Sequence, residues 1–506
     1  KAPASYNQQL NEKIERLNDE IKLVINSKEY IDIQYNESRF NSFKNLTFSH
    51  DSLLILAYKL CEEYPLFGKI INDKYDFILI DEYQDTNENI IKLFLDLLPK
   101  NRKTTVGLFG DSMQSIYNDG IGNIEDYIQA GKVVRVKKED NYRCSQEVID
   151  LINLLRIDNI KQSVALKNGE TLNHRIGFVK LYYKIVGAKP ATFSSNEDKD
   201  KYLEALNEYI QEIKRASNIE NLKLLMLTNK SISNELGFSI LYNIFNKRYS
   251  DIKDEIEKDL ARIQISDIAN LCRLYQKEQF NPILVHLKNI GFKLKSLKDK
   301  EVVSNCFKHL LTKSLSLQEV LTYCFENNLL HKSERYIRYI EEKDNFLKVL
   351  ETDESYKDLE KLYVAGINTQ ARLKKEHNIE LSNEEFNEFE RTLKKKEFYN
   401  ELFSSSIKFS EVLNYYKYIN EETDYITMHK TKGTGIENVM VVLDEFFWNQ
   451  YNFKYVYDTT AEEEKRMKNL KLFYVSCSRA IKSLIIVRLV KDEAEKDMLE
   501  SYFSII

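Results

Sequence analysis

Residues 75–80, YDFILI, form a short and almost wholly apolar run that ends in the acidic string Asp81-Glu82-Tyr83-Gln84-Asp85. A brief segment this rich in β-formers predicts a strand covered on both faces, as in parallel sheets flanked by helices. Either Thr86 or Asn87 can then cap a helix carrying Ile90, Ile91, Leu93, Phe94 and Leu97. The pattern recurs. TTVGLF (104–109) predicts a second buried strand leading into GDSMQSIY, and VVRV (133–136) a third, followed by NYRCS and a helix from about Ser145. Strands alternating with helices predict an α/β fold with a largely parallel sheet.

The rest of the chain extends this layout. Leu10, Ile14, Leu17, Ile21 and Val24 recur at steps of four and three, predicting an amphipathic helix over 8–26, and another is expected from Asp51 to Tyr64. Residues 176–186 and 221–228 predict strands separated by a helix near 199–215. The stretch from about 245 to 420 reads as almost entirely helical, and strand pattern returns at 424–428, 438–443 and 483–490. A helical block is therefore expected inside a second α/β domain. A chain of 506 residues also exceeds what one core serves.

Composition excludes more than it selects. No apolar run is long enough to cross a bilayer, which argues against a membrane partner. Six scattered cysteines lack paired spacing, so neither a disulfide framework nor a zinc site is expected, and a reducing cytoplasm fits. Cys306 and His309 stand one helical turn apart, but two ligands do not make a zinc site. The net charge of −5 argues against a wholly basic nucleic-acid coat but permits a local positive track. Lys394–Lys396 are expected to form a solvated helix face. Because the chain opens with Lys1, its natural start is expected upstream.

In open α/β sheets, ligands sit beyond the carboxyl ends of the strands. Three polar clusters follow predicted strands. Asp81 and Glu82 can divide the work of a nucleotide-hydrolysing site, one carboxylate serving Mg²⁺ and the other polarising water, with Gln84 sensing a γ-phosphate or orienting water. The bland alternative is an acidic turn stabilising a helix N-terminus. In GDSMQSIY, Gly110 permits a tight turn, Gln114 can reach phosphate, and Tyr117 offers a face for a base, unless this is only a polar loop with one buried tyrosine. Arg143 can neutralise charge on a transferred phosphoryl group, although an arginine at a helix start is more often a structural ion pair. Near the C-terminus, ITMHKTKGTGIENVMVV joins two strands through a basic, glycine-containing turn, and LFYVSCSRA supplies Arg479. That turn could follow a nucleic-acid backbone or be a charged hairpin.

Taken in order, DEYQDTN, GDSMQSIY, NYRCS, TMHKTKGTGIE and LFYVSCSRA resemble the later motifs of the UvrD/Rep-like superfamily I helicases. TNKSISNEL (228–236) and SHDSLL (49–54) resemble further family elements. The resemblance implies two RecA-like motor domains, the first incomplete, with a helical accessory subdomain inserted in the second. The divisions are 1–140 for the first motor domain, 141–244 and 423–506 for the two segments of the second, and 245–422 for the insertion. It further implies ATP and Mg²⁺ bound between the motor domains, and movement along single-stranded or tailed DNA with 3′-to-5′ polarity. By match, Asp81 and Glu82 serve Mg²⁺ and water activation, and Gln114 couples nucleotide state to DNA. Arg143 and Arg479 meet the γ-phosphate, and Glu437 lies near the nucleotide. Tyr117, His429 and Lys432 contact DNA.

Three departures stand out. The phosphate-gripping loop G-x-x-x-x-G-K-S/T is not in the sequence, and GTG at 433–435 lacks its spacing and its terminal Lys-Ser/Thr. The surviving carboxylates and arginines favour such a loop upstream of Lys1. Tyr117 is followed by NDGIG where relatives carry a Trp-Arg-Gly-Ala type segment, and KGTGIE is longer than the usual KGLE. An ATP-driven helicase or translocase is the expected function. The competing expectation is a non-hydrolysing DNA-sensing or regulatory subunit beside a nuclease, as in bacterial antiviral systems such as Gabija.

Overall fold

A computed structural model describes residues 14–23, 26, 34–36, 41, 47–99, 103–117, 120–191 and 194–504. They divide into two compact units. One comprises the described residues up to 178 together with 453–482, the other 179–452 and 483–504 where described. Of the helix expected over 8–26, residues 14–23 and 26 are helical and the remainder lies outside the described residues.

Among the described residues the first unit contains three pairs of parallel strands. They are β1 (Gln34–Tyr35) with β2 (Thr47–Phe48), β3 (Phe77–Ile80) with β4 (Thr105–Leu108), and β5 (Asp140–Asn141) with β6 (Ser163–Val164). The β3–β4 register sets Phe77 against Thr105 and Ile80 against Leu108, so both strands end at the same edge. That edge receives the acidic string and GDSMQSIY. Helices His50–Glu63 and Pro65–Lys74 precede β3, the second opening on Pro65, where a missing N–H costs nothing. After β3, Asn87 accepts a hydrogen bond from the Asn89 amide and starts the helix Glu88–Lys92, whose last turn widens into a π-helical turn over Leu93–Leu97. The core forms where Gln146–Leu155, burying Val148, Ile149, Leu151, Ile152 and Leu155, packs on Glu463–Cys477, which buries Leu470, Phe473 and Tyr474.

Two expectations fail here. VVRV is no strand: residues 133–136 are irregular and Val134 and Val136 are 86% and 88% exposed. Their β-branched side chains favour extended backbone, but among the described residues no neighbouring strand pairs with them, and a lone strand leaves its amides unpaired. Nor is β3 buried on both faces. Phe77 and Leu79 are 69% and 65% exposed while Ile78 and Ile80 turn inward, so only one side of the pair is covered among the described residues.

The second unit is organised on a five-stranded sheet of order β7-β11-β10-β8-β9, comprising β7 (Phe178–Ile185), β8 (Leu222–Met226), β9 (Tyr425–Thr427), β10 (Ile436–Val442) and β11 (Ala480–Val490). The β10–β8 and β8–β9 pairs are parallel. Helix Asn196–Ser217 joins β7 to β8, and helices from Asn229–Glu235 through Phe409–Ile419 fill the chain between β8 and β9. Local chemistry explains their starts. Ser296 with Asp299, Ser316 with Glu319, and Ser382 with Glu385 form reciprocal capping boxes. Lys394–Lys396 are not the uniformly solvated face expected: Lys396 pairs with Glu360 at 2.7 Å and Lys395 lies over the Phe346 ring. Aromatic neighbours on this helical block draw in the aliphatic stems. His309 stacks on Tyr323, and all six cysteines are buried and free. No helix among the described residues is long and apolar enough to cross a membrane.

Candidate active site

The first unit gathers Asp81, Glu82, Gln114, Tyr117, Arg143 and Arg479. Beyond β3 the Asp81 carboxylate accepts a hydrogen bond from the Glu82 amide at 2.9 Å, and Glu82 takes the left-handed conformation (φ 48°, ψ 45°). A non-glycine residue there costs roughly 1–3 kcal/mol, and such strain concentrates at functional turns. Both carboxylates remain exposed. Gln84, fully buried, braces Glu82: its Nε2 donates to Glu82 Oε2 at 2.6 Å and its Oε1 accepts from the Asp111 amide at 3.1 Å. Gln84 is therefore a pin between the two strand tips. The phosphate-sensing role considered for it does not suit a side chain sealed from solvent.

This pin also explains Gly110. A Cβ there would stand 2.2 Å from Gln84 Oε1 and 2.8 Å from the Tyr83 ring, so only glycine lets the tips approach.

Past β4, Asp111 accepts from the Met113 amide at 3.1 Å and from Gln114 Nε2 at 3.2 Å. The other end of the Gln114 amide, Oε1, accepts from Arg479 Nη2 at 3.2 Å. Arg479 sits at the end of helix Glu463–Cys477, where its Nε donates to the Val475 carbonyl and Nη2 to Ser478 Oγ. Burial lowers the proton affinity of this guanidinium and the neighbouring Arg143 charge lowers it further, while Glu82 acts in the opposite sense. Two cations and an acid thus share one neighbourhood.

Arg143 is placed by its own motif. Asn141 Oδ1 accepts from the amides of Arg143 and Cys144, both at 2.9 Å, and leads the chain into helix Gln146–Leu155. The segment is then stitched to the chain just past Arg479, since the Ser145 amide donates to the Ile481 carbonyl at 2.7 Å and its hydroxyl to that of Lys482 at 3.2 Å. Tyr117 is 48% exposed, and burial of its hydroxyl end, followed by the charge of Asp85, pushes its phenol up. The divergent NDGIG that follows begins with Asn118 and Asp119, which lie outside the described residues.

The remaining candidates belong to the second unit. Glu437 is an exposed residue of β10. His429 and Lys432 flank the short turn after β9, with His429 Nε2 3.3 Å from Tyr451 Oη and its ring 5.5 Å from that of Trp448. Motif reading gave no role to Trp448 and Tyr451, the aromatic part of FFWNQY, nor to Asp111, Arg156 and Tyr474. Arg156 carried a signal, a charge closing the apolar run VIDLINLL.

Asp81 and Glu82 suit Mg²⁺, which keeps several waters and takes one or two protein carboxylates along with substrate phosphates. Among the described residues no cage of three or more His, Cys, Asp or Glu competes for that part.

Parallel strands whose tips carry carboxylates and amides, met by Arg479 from a distant part of the chain, form a layout suited to phosphoryl transfer. Sequence comparison shows what the chain is similar to. Residues 3–134 match the UvrD/REP helicase N-terminal domain, and the chain is homologous to UvrD-like helicases. It is 28% identical to the Gabija protein GajB of Bacillus cereus, over 91% of this chain and 65% of that protein. It is 34% identical to DNA helicase II of Haemophilus influenzae over 21% of this chain and 15% of that one, and 23% identical to the RecBCD enzyme subunit RecB of Buchnera aphidicola over 89% and 41%. The chain thus spans at most about two thirds of the length of these relatives.

Proposed function

We propose that this chain carries motor machinery of an ATP-driven DNA helicase or translocase, built on two RecA-like domains with a helical accessory insertion and acting 3′-to-5′ on single-stranded or tailed DNA. The observation that carries the reading is the Gln114–Arg479 hydrogen bond, which joins residues 365 positions apart beside an exposed carboxylate pair. In this reading Asp81 holds Mg²⁺ and Glu82 orients and deprotonates the attacking water. Mg²⁺, when bound, offsets charge on the β- and γ-phosphates. Arg143 and Arg479 neutralise charge developing on the transferred group, and Gln114 links that event to the DNA-contacting Tyr117. Glu437 serves the nucleotide, and His429 and Lys432 the DNA backbone. Arg479→Ala in the full-length protein is expected to lose DNA-stimulated ATP hydrolysis while single-stranded DNA binding persists. Wild-type hydrolysis in that variant would remove the assignment.

The likeness to GajB across 91% of the chain favours one further reading, a subunit that senses DNA beside a nuclease in an antiviral system. If the full-length protein binds DNA, hydrolyses no ATP, and alters the activity of a separately purified nuclease subunit, this second reading replaces the first.

A further inference from the structure

We propose that Arg156, Asp111 and Tyr474 form a positioning relay that fixes the Gln114 amide, with its carbonyl toward Arg479. The inference rests on the hydrolytic reading of this site and adds three residues with no role in it so far.

The Asp111 carboxylate is crowded with donors. Arg156 approaches as a fork, Nη1 to Oδ2 and Nη2 to Oδ1, both at 3.0 Å. The Tyr474 hydroxyl donates to Oδ2 at 3.0 Å while accepting from Arg156 Nη1 at 2.5 Å, and the Met113 amide and Gln114 Nε2 complete the set. Such a carboxylate has no lone pair to spare for a metal ion. Its task is to orient. With Nε2 bound to Asp111, Gln114 must aim its Oε1 away, and that oxygen meets Arg479. The reversed amide would put carbonyl against carboxylate and NH₂ against guanidinium, two repulsive contacts.

Arg156 is itself anchored. Its side chain is 4% exposed, and its second carboxylate partner, Asp158, accepts at 2.6 Å. Tyr474, 1% exposed, belongs to the helix that ends at Arg479. A tilt of that helix therefore moves Tyr474 against Asp111 and Arg479 against Gln114 together, so the relay ties the arginine to the GDSMQ turn at two points. Burial pushes the Asp111 carboxyl up, but the Arg156 charge and hydrogen bonds, with Gln114 and Met113, outweigh it and hold the group below its ordinary range. The ionisable groups around Asp111 are Arg156, Asp158, Tyr474, Lys471 and Tyr83.

The test compares Tyr474→Phe and Arg156→Gln with Arg479→Ala in the full-length protein. Tyr474→Phe keeps the ring that packs the core, so it reports even if Arg156→Gln folds poorly. Misplacing a catalytic group by about 1 Å can cost on the order of a hundredfold in rate. DNA-stimulated kcat is expected to fall about tenfold in Tyr474→Phe and about a hundredfold in Arg156→Gln, with KM for ATP changed less than about twofold. Without nucleotide, Arg156→Gln leaves Asp111 buried without its counter-charge, so burial raises its folded-state pKa. The melting temperature of that variant should then drop relative to wild type as pH rises from about 5 to 7. Wild-type kcat in both variants, a KM rise at constant kcat, or pH-independent melting differences would overturn the relay. If Arg479→Ala is inactive while these two variants are normal, the relay alone fails. If Arg479→Ala is fully active, the hydrolytic reading fails.

Discussion

The chain places a DE pair at the carboxyl end of a parallel strand twice, and the two pairs have opposite fates. Asp81 and Glu82, beyond β3, stay exposed, and the neutral amide of Gln84 braces Glu82. Asp444 and Glu445, beyond β10, are 4% and 3% exposed. Arg488 reaches Glu445 at 2.6 Å, Lys189 reaches it at 3.2 Å, and the Tyr202 hydroxyl donates to Asp444 at 2.8 Å. The second pair is already neutralised from within. The first keeps both carboxylates exposed, which is what a site that must recruit a metal ion requires. The same dipeptide serves either purpose, and the counter-charges around it decide which.

The sharpest way to break this contrast is to remove the internal cation. Arg488→Met takes the guanidinium from buried Glu445 and Glu495, and should cost the second unit about 3–5 kcal/mol in denaturant unfolding. A loss under about 1 kcal/mol would mean the pair is solvated after all. Next, Asp81→Ala in the full-length protein should lower DNA-stimulated hydrolysis by about a hundredfold or more, roughly 2.7 kcal/mol in the barrier.

A third variant uses pH. Glu235 in the second unit has a buried Oε2 with no hydrogen-bond partner, and burial, followed by the Asp444 charge, pushes its pKa up to about 7. Asp444 is pushed up to about 6 by burial and then by Glu445. An acid whose folded-state pKa is raised binds its proton more tightly when folded, so it penalises folding progressively as pH climbs from about 4.5 through 7. Glu235→Gln should therefore stabilise the second unit by about 1–3 kcal/mol at pH 8 and change little at pH 5, as read from melting curves. Equal shifts at both pH values would place the effect in packing. The smallest effect belongs to the exposed pair, where Asp81→Ala should alter unfolding stability by no more than about 0.5 kcal/mol.

These contrasts show what the sequence could reveal. Apolar runs marked β3, β4, β8, β10 and β11 because such strings have few other uses in a globular chain. The polar strings behind β3 and β4 could be read because their residue types suit phosphate chemistry. The open face of β3 could not be foreseen, since a run's apolarity states what it tolerates and not what covers it. VVRV misled for the same reason: a β-branched tetrapeptide is a strand only where a partner runs beside it. The parts that Gln84 and Asp111 play depend on context. One is a sealed pin and the other is saturated by donors from Arg156, 45 residues away, and Tyr474, 363 away. Separations of that size leave no local pattern.

The seam formed by Ser145 with Ile481 and Lys482 bears on how the molecule is made. A ribosome delivers helix Gln146–Leu155 long before the strip that docks on it. Nascent chains ending before residue 453 would therefore expose the apolar flank of that helix, a surface that chaperones engage, until residues 453–482 arrive to close it.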